Sequence, residues 1–167
     1  MSTWFTSDLH LGHYSVGKTR GFDITDEHDY TLVENINSKV NKRDKLFILG
    51  DLAFTDKGLH WLDVVRCRNI ELILGNHDKY PLRRYMQHGI TKFHGFRGYK
   101  NYWLSHCPIH PNEIRKKTGS IHGHIHTFGD TEKIIDPRYY NVNVEFHDLH
   151  PVSLEEIERH FKEKNDE

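Results

Sequence analysis

Lys45-Leu46-Phe47-Ile48-Leu49-Gly50-Asp51 predicts a buried β-strand that stops at a carboxylate. The run is apolar, and a glycine marks its end. Four other strand-like runs also stop at a side chain that can bind a metal ion. They are residues 3–7 before Asp8, 69–75 before Asn76, 101–105 before His106 and 119–123 before His124. Because ligands collect outside the carboxyl ends of strands in open α/β sheets, we expect these loops to share one rim.

Helical patterns separate the first three runs, whereas short strands dominate the second half of the chain. Apolar stripes predict helices over residues 25–40 and 56–66, and a third helix after Pro81. Short strands are predicted over 91–96, 101–105 and 139–145, before a C-terminal helix that a capping box at 153–156 opens. This order predicts an α+β fold: a four-layer α/β/β/α sandwich of two mixed sheets flanked by helices, forming a single domain over residues 1–167.

Composition narrows the class of protein. The net charge of −1, from 23 basic and 24 acidic residues, gives no strong overall attraction to nucleic acid or to an anionic membrane. Cys67 and Cys107 form no disulfide framework or C-x-x-C pair, which favours a reducing compartment. The chain lacks the pattern of a signal peptide or a membrane span, so a cytoplasmic protein with no membrane partner is expected.

The side chains at the strand ends have the chemistry of a two-metal site. Asp8-Leu9-His10 places a carboxylate and an imidazole two residues apart, and His124-Ile125-His126 places two imidazoles at the same spacing. Asp51 is a natural bridging carboxylate, because two close cations need a shared anion. Mixed nitrogen and oxygen ligands without a thiolate favour manganese, with iron, nickel or zinc as alternatives. Cys107 is left out, since its parity along the strand points it away from His106.

The same residues resemble the signature of a known family. The blocks are Asp8-Leu9-His10, Gly50-Asp51, Gly75-Asn76-His77-Asp78, His106 and Gly123-His124-Ile125-His126, in that family's order. The chain is similar to the small, single-domain members of the calcineurin-like metallophosphoesterases. It departs from their pattern at Ser105, where the family usually has glycine before the histidine.

The resemblance implies a mechanism and a role for each residue. A hydroxide bridging two metal ions would attack phosphorus, and His77 would donate a proton to the leaving group or to an equatorial oxygen, with Asp78 orienting His77. The implied first metal has the ligands Asp8, His10, Asp51 and His126, and the second has Asp51, Asn76, His106 and His124.

The substrate is less well determined than the chemistry. A small phosphodiester or nucleotide is favoured. A nuclease of the same superfamily, or a non-catalytic metal-bound scaffold that binds a protein, are the alternatives. His13 and Arg20 are candidate substrate contacts, although an exposed polar loop would explain them equally well. The charged run at 113–117 could hold a phosphate, but such runs are usually a solvated face. The oligomeric state is left open.

Overall fold

A five-stranded sheet carries the first half of the chain. The computed structural model describes residues 1–128 and 136–163. Strands β1 (Thr3–Thr6), β2 (Lys45–Leu49), β3 (Asn69–Ile73) and β4 (Ile90–His94) are parallel neighbours, and β9 (Val152–Ser153) pairs antiparallel with β1. The sheet is therefore mixed, with its parallel strands ending at the same edge.

A second sheet of four strands is formed by the second half of the chain. Its order is β5 (Arg97–Tyr99), β6 (Tyr102–Leu104), β7 (Gly119–His122) and β8 (Tyr139–Asn141). β5 and β6 are antiparallel, whereas β6, β7 and β8 are parallel. The carboxyl ends of β6 and β7 thus also lie at one edge of their sheet.

The helices connect and flank the strands. They are α1 (Tyr14–Thr19), α2 (Thr25–Lys39), α3 (Asp56–His60), α4 (Leu82–Gln87) and α5 (Leu154–Glu163), with 3-10 turns at Trp61–Val64, Pro111–Glu113 and Val144–Phe146. The capping box that opens α5 is confirmed, since Ser153 N donates to Glu156 Oε2 at 2.8 Å and Glu156 N donates to Ser153 Oγ at 3.2 Å.

Two apolar clusters show which faces are covered. Phe5 and Phe47 stack at 5.3 Å between ring centroids, in a cluster that joins β1 and β2 to β6, β7 and α5. On the other face of the first sheet, buried residues of β2 and β3 pack against α2 and α3. The two faces follow from the alternation of side chains along each strand. The predicted sandwich of two mixed sheets with flanking helices is confirmed.

The structure differs from the predicted elements in several places, and β5 and β9 lie where no strand was predicted. The strand predicted over 139–145 ends at Asn141, because the Asn143 side chain accepts a hydrogen bond from Glu145 N at 3.0 Å and turns the chain into a 3-10 turn. The helix predicted over 56–66 ends at His60 and continues as a 3-10 turn. Helix α1 was not predicted, since its short sequence has no apolar stripe.

Candidate metal centre

The loops that follow the strands bend sharply back toward one another. Asp8, His10, Asp51 and His124 all have left-handed backbones, with φ of 57°, 49°, 55° and 68°. Residues other than glycine rarely adopt this region, and such strain is concentrated at functional sites. Backbone hydrogen bonds hold the loops together: Asp8 N donates to Gly50 O at 3.0 Å and His10 N to Asp51 O at 2.9 Å.

Two glycines of the motifs are needed for close approach. A Cβ on Gly50 would overlap the His106 ring, and its φ of 87° also favours glycine. A Cβ on Gly123 would overlap Ser7 and the Asp8 carboxylate. Each glycine thus lets a strand end lie against a candidate ligand from another strand.

The predicted ligands form two groups that meet at Asp51. In the first group, Asp8, His10 and His126 bring their ligand atoms within 4.8 Å of one another. Asp8, Asp51 and His106, which connect the first group to the second, do the same. Asp51 Oδ2 lies 3.7 Å from His10 Nε2 and 3.4 Å from His106 Nε2. The carboxylate predicted to be shared therefore stands between the two groups.

The second group is completed by Asn76 and His124. His106 Nε2 lies 2.9 Å from Asn76 Oδ1 and 3.2 Å from His124 Nδ1. The structure brings all seven predicted metal-binding side chains to one rim: Asp8, His10, Asp51, Asn76, His106, His124 and His126.

The unpaired polar atoms of the site fit a bound cation. Within the described residues, Asp8 Oδ1 and both ring nitrogens of His10 are buried without a hydrogen-bond partner, and each such group costs about 1–3 kcal/mol. Separations of 3.4–3.7 Å between ligand atoms are long for hydrogen bonds. They suit two ligands of one ion, whose bonds of about 2.0–2.2 Å leave ligand atoms roughly 3–3.5 Å apart.

Two of the imidazoles are oriented by the nitrogen that faces away from the centre. His106 Nδ1 donates to Leu49 O at 2.8 Å, and His126 Nδ1 donates to Glu145 Oε1 at 2.7 Å. A neutral imidazole carries one proton, and each of these bonds places it on Nδ1. The lone pair of Nε2 is therefore available to bind a metal ion at the centre. This is the arrangement that outer partners of metal-binding histidines provide.

The carboxylates and imidazoles of the centre have strongly shifted pKa values. Burial raises the pKa of Asp8 to about 6 and lowers the pKa of His10 to about 3. Although burial opposes both shifts, the interaction between Asp51 and His106 lowers the pKa of Asp51 to about 2 and raises that of His106 to about 8. A cation would stabilise both carboxylates in their ionised form.

Arg20 does not take the place predicted for a substrate contact. Its side chain is only 4% exposed and donates to Glu145 Oε1 at 2.7 Å, to Asp8 O at 2.7 Å and to Leu9 O at 3.2 Å. The guanidinium N–H groups are thus occupied by protein acceptors, and they hold the Asp8 loop and the Glu145 carboxylate in place. Arg20 is corrected to a positioning residue.

Glu145 is a functional residue that the sequence reasoning missed. It accepts hydrogen bonds from His126, Arg20 and the Thr127 amide at 2.7, 2.7 and 2.9 Å. Although burial opposes it, the hydrogen bond from His126 helps to lower the pKa of Glu145 to about 2. Its position just after β8 was a usable signal, because the other candidate ligands also follow strands.

Asp78 binds the backbone of the centre. Its carboxylate accepts from Gly75 N, Asp51 N and Leu52 N at 2.8, 2.9 and 3.0 Å, and from the Tyr85 hydroxyl at 3.3 Å. His77 Nδ1 has no hydrogen-bond partner among the described residues. Among the described residues Asp78 makes no hydrogen bond to the His77 ring that it was predicted to orient, and Asp78 is corrected to a residue that fixes the Asp51 loop.

His77 and His13 line an aromatic rim beside the ligands. The Phe54 ring, which is 39% exposed, lies 4.0 Å from the His13 ring and 5.0 Å from the His77 ring between centroids. A cavity of about 150 Å³ opens here, lined by Ala53, Phe54, His77, Lys79 and Tyr80. His77 N also donates to Asp51 Oδ1 at 2.9 Å, which ties the rim to the ligand group.

Cys107 lies closer to the centre than its parity suggested. Its sulfur comes within 4.8 Å of ligand atoms of His106 and His124. The exclusion was wrong because β6 ends at Leu104, so alternation no longer applies at residue 107. The run at 113–117 is held elsewhere: Arg115 pairs with Glu113 at 3.0 Å, and Lys117 Nζ donates to Lys100 O at 2.7 Å.

Comparison with known proteins agrees with the geometry. The sequence profile of the calcineurin-like phosphoesterases matches residues 1–166. The chain belongs to this family. Its fold is also that of a solved structure, a protein of unknown function, AQ665, from Aquifex aeolicus, with a TM-score of 0.73 at 22% identity over 95% of this chain and 98% of that one.

Relatives of this calcineurin-like phosphoesterase occur in phages and an archaeon. It is 33% identical to the Gene 66 protein of Mycobacterium phage D29, over 90% of this chain and 92% of that protein. It is 31% identical to the uncharacterized protein MJ1445 of Methanocaldococcus jannaschii, over 92% and 88%. The match to the Gene 66 protein of phage L5, at 44% identity, spans 50% of this chain and 43% of that protein.

None of the helices in residues 1–128 and 136–163 combines the length and the apolar character needed to cross a bilayer.

Proposed function

We propose that this protein is a dinuclear metal-dependent phosphoesterase that hydrolyses a small phosphodiester or nucleotide in the cytoplasm. One observation carries the proposal: Asp51 Oδ2 lies between His10 and His106, at 3.7 and 3.4 Å, where two ligand groups meet. Two divalent ions, manganese by preference, would share this carboxylate. When bound, they supply Lewis acidity toward a phosphoryl group and an ionised water near neutral pH.

The residues of the chain divide the remaining tasks. His77 is half-buried at the rim beside the ligands, where an imidazole can hold a proton for the leaving oxygen. Asp78 fixes the Asp51 loop through three backbone amides. Glu145, held by Arg20, orients His126. This division assigns the proton transfer to one residue and the positioning to the others.

A nucleotide or similar diester is favoured by the rim. Phe54 and His13 offer aromatic faces, and Lys79 lines the cavity next to His77. An aromatic face can stack on any base, and a lysine favours a phosphate beside it. His13 thus keeps its predicted role as a substrate contact.

The proposal is tested by adding Mn²⁺ to chelator-stripped protein and measuring the nitrophenol released from a nitrophenyl ester substrate. Bis-p-nitrophenyl phosphate and p-nitrophenyl phosphate distinguish a diesterase from a monoesterase. Asp51→Asn should abolish turnover, whereas Asp23→Asn, at an exposed position, serves as the matched control. If the protein binds two ions but hydrolyses neither substrate, the proposal of an enzyme would be wrong and the non-catalytic scaffold would be favoured.

A panel of natural substrates refines the class. Cyclic nucleotides, dinucleotides and 2′,3′-cyclic phosphates should be cleaved faster than single-stranded DNA. Preferential cleavage of DNA, with inhibition that steepens with added DNA and relaxes with salt because phosphate contacts are screened, would instead identify a nuclease.

A further inference from the structure

A second set of metal-type ligands lies outside the candidate metal centre. His60 is the last residue of α3, Asp63 lies in the following 3-10 turn, and His88 directly follows α4. His88 Nδ1 lies 2.9 Å from Asp63 Oδ1, and His60 Nδ1 lies 3.3 Å from Asp63 Oδ2. The two imidazole rings are 4.8 Å apart between centroids and cross at 82°.

We propose that His60, Asp63 and His88 form a second, separate site for a divalent transition metal of the zinc type. Two imidazoles and one carboxylate suit zinc, nickel or cobalt, whereas magnesium and calcium prefer oxygen ligands alone. Three protein ligands leave a further position for water, as in zinc sites that are not closed. The site is independent of the proposed phosphoesterase function.

The distances allow one ion to reach all three side chains. Their ligand atoms lie within 4.8 Å of one another. Metal bonds of about 2.0–2.2 Å in a tetrahedral site place ligand atoms roughly 3–3.5 Å apart, so binding would draw the three side chains together by at most about 1–2 Å. His60 and Asp63 are 65% and 48% exposed and free to make that adjustment, while His88, at 8%, is the fixed member.

The charge of the cluster also suits a cation. Although burial opposes it, hydrogen bonds from His88 and His60 hold the pKa of Asp63 below its ordinary value. The carboxylate is therefore ionised at neutral pH. Both imidazoles present Nδ1 to it, and a cation among the three atoms would replace two hydrogen bonds with three metal bonds.

The ion would join two segments that are distant in sequence. It would link the end of α3 and its 3-10 turn to the end of α4. Helix α4 also carries Tyr85, whose hydroxyl donates to Asp78 at 3.3 Å. Zinc should therefore raise the melting temperature of wild type more than that of His60→Ala, because only the folded chain brings the three ligands together.

Zinc titration of the chelator-stripped full chain against a chromogenic chelator tests the proposal. Wild type should bind an equivalent of Zn²⁺ that His60→Ala lacks or binds more weakly by at least about 10–100-fold, the loss caused even by removing an outer-sphere partner. The control is His110→Ala, which removes another exposed histidine and should keep that equivalent. Mn²⁺-dependent turnover should be the same in all three proteins.

Equal zinc stoichiometry and affinity in wild type and His60→Ala would overturn the site. His88→Ala should show the same loss, but removing this buried ring also destabilises the fold. Zinc binding by His60→Ala is therefore the decisive measurement, since removing this exposed side chain leaves the core intact. Because the readout is zinc binding, failure of the phosphoesterase proposal would leave the result interpretable.

Discussion

Replacing Asp78 tests whether this carboxylate holds the Asp51 loop or acts in the reaction. In Asp78→Ala, three backbone amides of Gly75, Asp51 and Leu52 would lose bonds of 2.8–3.0 Å. Unsatisfied donors cost about 1–3 kcal/mol each, so the free energy of unfolding should fall by about 3–5 kcal/mol, since water reaches part of the gap. In Asp78→Asn the free energy of unfolding should fall by less, because the amide oxygen of asparagine still accepts a hydrogen bond.

The assay is equilibrium unfolding in urea, followed by metal binding and turnover on the same samples. Tyr85→Phe is the matched control, because it deletes only the 3.3 Å bond to Asp78, and should cost about 0.5–1.5 kcal/mol. Metal affinity should fall together with stability in Asp78→Ala. The reasoning would be refuted if Asp78→Asn kept full stability and metal content yet lost turnover, since the carboxylate would then act in proton transfer.

Three further outcomes are expected. Glu145→Gln should weaken metal binding by roughly 10–100-fold through His126, measured as the Mn²⁺ concentration that half-activates the protein; unchanged activation would remove Glu145 from the site. Although burial opposes it, hydrogen bonds from Lys45 and His94 hold the pKa of Glu71 below its ordinary 4.5. Wild type should therefore lose stability as the pH falls below that value, and Glu71→Gln should flatten the loss in acid unfolding, whereas parallel curves would contradict the ion pairs. His77→Ala should slow turnover by about 10²–10⁴ with metal content unchanged; loss of metal would instead make His77 a ligand.

The ligands could be predicted from the sequence because their signal is local. An apolar run that stops at a polar side chain marks the end of a strand, and parallel strands end at one edge. Asp8, Asp51 and Asn76 follow β1, β2 and β3, and His106 and His124 follow strands of the second sheet. Chain position alone was enough to expect them at one rim.

The supporting contacts could not be predicted, because they join residues that are far apart. Arg20 and Glu145 are separated by 125 positions, and no periodicity connects them. Asp78 faces backbone amides, which have no signature in side-chain patterns. Alternation also fails beyond the last residue of a strand, which is why Cys107 was placed wrongly.

Anomalous diffraction from crystals of the full chain grown with Mn²⁺ tests the central claim most directly. The claim predicts two manganese peaks that share the Asp51 carboxylate, one beside Asp8 and His10 and the other beside Asn76 and His106. A single ion that does not touch Asp51, or no ion at all among these side chains, would contradict it.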